Sequence, residues 1–230
     1  MGKIVTASDP HTGKPQMSQE DLIREATIFC QEETVKDHPE LLGITDGKAI
    51  GTYVEHKFKE RLAERYSITI GSSASGIDLP DPDINTDIKV TSLRLPQSSC
   101  PYKDPKQKIF GLGYNLLIFV YDKKDSKTDS RLRFTHCTFI EDERTADYAL
   151  TALINDHKRI GANEEDIIAL LQDKALPGDE TVLSEIAGDI FSKEVKQGYL
   201  TISNALQWRL QYKRAIELNN SAEGVINHVW

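Results

Sequence analysis

The sequence predicts an α/β (α+β) fold, a central mixed β-sheet flanked by helices with a C-terminal helical portion. Three observations carry that expectation. Apolar residues recur at helical spacing up to about residue 66. They then alternate, or run unbroken, between 67 and 140, and return to helical spacing from 141 onward. Helical and strand periods in one chain call for layers of both kinds around a shared core. With 230 residues and 39% apolar content the chain can bury such a core.

The first seventeen residues are polar and rich in Gly and Pro, and predict a loose arm. Ser18, three before Asp21, then opens a helix to about Lys36 that carries Leu22, Ala26 and Phe29 inward. His38-Pro39 ends it, because a residue before proline avoids helical geometry. Ile50, Val54, Phe58, Leu62 and Tyr66 predict a second helix over about 49–66. From Tyr66 the period changes. Residues 67–71, 77–79 and 87–91 read as strands, with the turn formers PDPDIN between the last two. A Pro-rich connection leads to a short helix over about 106–111. The run YNLLIFVY (114–121) predicts a strand covered on both faces, and 131–140 another strand. Helices are expected over 148–156, 164–172, 180–191 and 202–218. Three parts follow: an arm (1–17), a core (18–140) and a helical region packed on it (141–230).

Composition excludes several classes. No segment is long and apolar enough to span a membrane, and the N-terminus lacks the apolar centre of a secretory signal, so the expected location is cytoplasmic. Cys30, Cys100 and Cys137 show no spacing typical of zinc or a disulfide framework. The net charge of −8 argues against a surface that coats nucleic acid indiscriminately. Charge is uneven, however: residues 141–190 carry −9, while 94–108 carry +3 and 193–214 carry +4.

The stretch GIDLPDPDINTDIKVTS (76–92) places Asp78, Asp81, Asp83 and Asp87 beside a strand-forming run that holds one lysine, Lys89. A solvated turn accounts for Asp81 and Asp83. A calcium loop fails on specifics: with Asp81 as first ligand, Thr86 stands where glycine is needed and Ser92 where a bidentate glutamate belongs. Strand alternation offers a third reading. Ile88 and Val90 point to the core while Asp87 and Lys89 point the other way, and a hairpin with 77–79 brings Asp78 to the same face. Two carboxylates about 4 Å apart repel by roughly 4 kcal/mol at an effective dielectric of 20. A shared proton, the lysine or a divalent cation must offset that, and a cation with oxygen ligands suits metal-assisted phosphodiester hydrolysis.

Asp78, a short hairpin and then Asp87-Ile88-Lys89 resemble the PD-(D/E)xK nuclease motif, and the element order resembles that superfamily's restriction-endonuclease-like core. The family's first acid often follows proline, whereas Asp78 follows Ile77; Asp83, after Pro82, is the fallback. Residues 50–140 are similar to bacterial type II restriction endonucleases. The resemblance implies a Mg2+-dependent homodimer that cuts double-stranded DNA and is partnered in the cell by a cognate DNA methyltransferase. It assigns Asp78 and Asp87 to metal and Lys89 to the attacking water. Glu55 on the second helix would support the metal or, alternatively, only pair with Lys59 at i, i+4. By position after the catalytic strand, Ser92, Arg94, Gln97, Ser98 and Ser99 are candidates to approach DNA or else form a plain solvated loop, and Lys106 and Lys108 to meet phosphates or to solvate a helix. The alternatives are a structure-specific repair or junction nuclease and a non-cutting DNA-binding protein on the same fold.

Overall fold

A computed structural model describes residues 13–71, 76–100, 103–203, 208–218 and 222–230. The chain divides into two compact units. The first comprises the chain up to Leu95, Asn115–Phe139 and Asn227–Trp230; the second comprises Pro96–Tyr114 and Ile140–Ile226.

In the first unit, α1 (Gln19–Thr34) starts at a reciprocal cap: the Asp21 N–H donates to Ser18 Oγ and the Ser18 N–H to the Asp21 carboxylate. After the short 3-10 turn Pro39–Leu41, α2 (Gly47–Arg65) begins at Asp46, whose carboxylate accepts from the Lys48 and Ala49 N–H groups. Ile50, Val54, Phe58 and Leu62 face inward as their spacing predicts. The unit's sheet runs β1 (Thr86–Ser92), β3 (Asn115–Asp125), β4 (Ser130–Ile140), β7 (Val225–Val229), in that order. β1 lies parallel to β3, with Asp87 opposite Leu116 and Lys89 opposite Ile118. β3 and β4 are joined by only four residues, which forces them antiparallel, so the sheet is mixed. Phe29, Phe58, Phe119 and Phe134 meet at centroid separations of 5.0–6.0 Å and fill the space between helices and sheet. This is a restriction-endonuclease-like arrangement.

The second unit holds β2 (Gln97–Cys100), α3 (Gln107–Phe110), α4 (Tyr148–Arg159), α5 (Glu164–Asp173), α6 (Glu180–Ser192), β5 (Thr201–Ile202), β6 (Trp208–Gln211) and α7 (Lys213–Ile216). Its small sheet runs β2-β6-β5, antiparallel throughout. Leu150, Ile154, Ile167, Leu171, Ile186 and Ile190 form the helical core.

Several expectations are corrected. Residues 67–71 form no strand; only Ser67 bridges to Gln16. That bridge and the burial of Met17 tie down the described end of the expected arm, whose residues 1–12 lie outside the description. The helix expected over 202–218 is instead β5, β6 and the short α7, with 204–207 outside the described residues. Trp208 in β6 and Tyr212 just after it are both fully buried. The second unit also takes in 96–114, expected in the core, and 227–230 return to the first unit. No helix among the described residues is long and apolar enough to cross a membrane.

Candidate active site

The site is built on β1, on the segment before it and on α2. Ile88 packs in the core of the first unit with Val90 against it, so alternation sends Asp87 and Lys89 to the other side of the strand. That side is covered as well: the Asp87 side chain is only 7% exposed.

Asp78 reaches Asp87 by a route that differs from the expected hairpin. Residues 77–79 form no strand; a single bridge joins Leu79 to Thr86, with both backbone hydrogen bonds at 2.9 Å. Between them the Asp81 carbonyl accepts from the N–H groups of Ile84 and Asn85, and Asn85 adopts φ +28°. Asparagine tolerates that left-handed region better than most residues, which lets the turn close in so few residues. β1 is an edge strand here, so the Ile88 N–H lacks a ladder partner on this side. It donates instead to Asp78 Oδ2 at 2.9 Å. One carboxylate oxygen thus replaces a missing strand and is aimed by the backbone of the strand that carries Asp87.

The other Asp78 oxygen accepts from Lys59 Nζ at 2.5 Å, and the same ammonium donates to Glu55 Oε1 at 2.7 Å. Lys89 Nζ lies 2.6 Å from Asp87 Oδ2. The Asp78 and Asp87 carboxyls lie close enough to shift each other's titration, which lowers that of Asp78 and raises that of Asp87. Burial is the main cause that pushes Asp87 up to about 6; the Lys89 charge opposes it and the hydrogen bond with Asp78 adds to it. Burial acts on Asp78 in the same direction, but hydrogen bonds from Asp87, Lys59 and the Ile88 N–H together hold it below its usual value. Lys59 stays above its ordinary range despite burial, because Asp78 and Glu55 both favour its charged form.

Glu55 makes the helical pair with Lys59 that one of the sequence readings expects. That pair borders the aspartates. Among the described residues no group of three Asp, Glu, His or Cys side chains comes together as a metal cage. Glu55 connects to Asp78 through an ammonium and not as a third direct ligand. From the sequence Lys59 stands out only as the i, i+4 partner of Glu55 and not as a neighbour of Asp78. Its one signal was position: next to Phe58, at the border of the buried stripe, four residues from Glu55.

The remaining acids of the stretch are structural or exposed. The Asp81 carboxylate accepts from the Thr69 N–H at 2.7 Å. Asp83 is exposed in the turn. Of the side chains expected near DNA, Arg94 is exposed in the turn after β1 and Ser92 is half-buried at the end of that strand. In the second unit Ser99 is exposed, Gln97 is half-buried, and the Ser98 hydroxyl is hydrogen-bonded to that of Tyr212. Lys106 pairs with Asp189 at 2.6 Å. Lys108 is a correction. It is 6% exposed, and its burial holds its pKa below the ordinary lysine value despite the Asp147 charge, so it does not present the exposed ammonium that a phosphate contact needs.

Two carboxylates and an ammonium that share one buried corner suit the hydrolysis of an anionic ester. Comparison with known proteins agrees. The family model for the type II restriction enzyme NspV matches residues 16–227. The type II restriction enzyme NspV of Nostoc sp. (strain ATCC 29411 / PCC 7524) is 49% identical over 209 residues, which cover 90% of this chain and 94% of that protein. No solved structure matches. The chain accordingly belongs to the NspV family of type II restriction enzymes, site-specific deoxyribonucleases that act on double-stranded DNA.

Proposed function

We propose that this restriction enzyme cuts DNA with a Mg2+ ion held by Asp78 and Asp87, and that Lys89 serves the attacking water. The observation that carries this reading is the proximity of the half-buried Asp78 carboxyl to the buried Asp87 carboxyl, beside the Lys89 ammonium. The donor set fits the ion: Mg2+ is a hard cation that takes one or two carboxylates and fills its other positions with water and phosphate oxygen. When bound, the ion supplies an acidified water and neutralises charge that develops on the phosphate.

The chain's own groups do the rest. Asp78 is held at both oxygens, by the Ile88 N–H and by Lys59, so its orientation is fixed before DNA arrives. Asp87 must give up its proton to bind a cation, and a value of about 6 lets it do so at neutral pH. Lys89, 23% exposed at its side chain, can donate to an incoming water or to the developing oxyanion. Glu55 acts from one step away, by anchoring Lys59. Arg94 and Ser92, just beyond the catalytic strand, approach the DNA, with Gln97, Ser98, Ser99 and Lys106 as further polar contacts. The enzyme works in the cytoplasm as a homodimer, since a palindromic target pairs with two-fold symmetry, and a cognate methyltransferase shields the host's own sites.

Plasmid digestion tests this directly. Discrete fragments should form with Mg2+ and not without it, and Asp87→Ala and Lys89→Ala should each abolish them. Undiminished cutting in chelator, or by Asp87→Ala, overturns the assignment.

A further inference from the structure

Lys59 lies between two carboxylates, Glu55 and Asp78, at 2.7 and 2.5 Å, and its side chain is only 11% exposed. Two carboxylates that face one gap attract a cation, and here the ammonium fills that gap. Resting on the two-aspartate reading above, we infer that Lys59 is a built-in second cation and that each active site takes one divalent ion, not two. It lies in the gap between Glu55 and Asp78 and leaves only the Asp78–Asp87 gap to metal.

Two further observations point the same way. Charge is the first. With every group ionised, Glu55, Asp78 and Asp87 against Lys59 and Lys89 leave the site with a single negative charge. One divalent ion reverses that to a single positive charge, which one phosphodiester anion neutralises. A second divalent ion would leave two positive charges in a half-buried corner with nothing to offset them, which costs free energy at low dielectric.

Capacity is the second. A carboxylate offers about four lone-pair positions over its two oxygens. Asp78 uses one on Lys59 and one on the Ile88 N–H, which leaves room for one shared cation on the Asp87 side. Glu55 is committed to Lys59, and no third acid joins the pair among the described residues. The lysine has a merit that a second metal lacks: it is tethered to α2 and cannot dissociate, so the site needs only one binding event to be complete.

Mn2+ binding to the full-length, DNA-free protein, followed through the paramagnetic resonance of unbound Mn2+, counts ions per chain. Wild type is expected to bind one. Two ions per wild-type chain overturn the inference and leave the two-aspartate site standing; no bound ion at millimolar Mn2+ overturns both. Lys59→Gln opens the Glu55–Asp78 gap and is expected to bind two, while Lys59→Arg, which keeps a cation there, binds one. A Lys59→Gln protein with native circular dichroism that binds one ion at wild-type affinity contradicts the inference. The wild-type count stands whether or not either variant folds.

Discussion

Asp87 is under opposed demands. Its side chain is buried near Asp78, which favours the protonated acid, yet the proposed metal role requires it ionised. Its folded value of about 6 lies above the 3.8 of a free aspartate, so the folded protein holds this proton more tightly than the unfolded chain between roughly pH 4 and 6. The contribution to stability therefore falls as pH rises through that window, and the full cost is present above about pH 6 in metal-free protein. Asp87→Asn removes it. In chelator the variant should exceed wild type by about 2–3 kcal/mol in urea unfolding near pH 8, and the difference should vanish below about pH 4. A gap that does not depend on pH would show that Asp87 is not the titrating group. Asp78→Asn should cut turnover by at least about a thousandfold, since a thousandfold corresponds to only ~4 kcal/mol of transition-state stabilisation. Asp83→Asn, in the exposed turn, should leave turnover within about threefold of wild type. The common face of Asp87 and Lys89 was legible because strand alternation puts both side chains opposite Ile88 and Val90, whereas Asp78 is placed by a lone bridge and the Ile88 N–H. The contact of Lys59 with Asp78 was not legible, because the two stand nineteen residues apart and no local pattern pairs them.

Among the elements, α2 supports the site most directly, because it carries Glu55 and Lys59 on the border of the stripe that packs on β1. Phe58→Ala, beside Lys59, removes a fully buried ring from the four-phenylalanine cluster and should cost about 3–5 kcal/mol in denaturant unfolding. A loss below about 1 kcal/mol would mean that the cluster is not packed as described. α1, α2, β1, β3 and β4 were readable because each repeats one period over many residues. The misreadings have particular causes. Trp208 and Tyr212 stand four apart and suggest a helix, but Trp208, Leu210 and Tyr212 also alternate with exposed Arg209 and Gln211, and pairing with β2 favours the period of two. β2 (QSSC) is too polar to show alternation. β7 inverts it: Ile226 and Val229 are exposed while Asn227 is buried and accepts from the Thr138 hydroxyl at 2.7 Å. The short segment at 77–79 reads as a strand by alternation, but it makes one bridge only, because the Asp78 side chain takes the N–H that a second bridge would need.

At the scale of the whole molecule, an enzyme with a net charge of −8 must approach a polyanion through local cationic features. Arg94 is the exposed cation nearest in sequence to the end of β1. Arg94→Ala should weaken DNA binding and lower the slope of log affinity against log salt by about one, the signature of one lost phosphate contact. An unchanged slope would remove Arg94 from the interface. The same account expects twice the monomer mass in sedimentation equilibrium, and monomers alone would contradict the symmetry argument. All of this depends on the two aspartates gripping one ion. Anomalous diffraction from crystals soaked in Mn2+ locates it without any assumption about activity. The account predicts one peak per chain, within bonding distance of both the Asp78 and the Asp87 carboxylates, with Lys59 still between Asp78 and Glu55. A peak on other residues, or one that touches only one of the two aspartates, contradicts it.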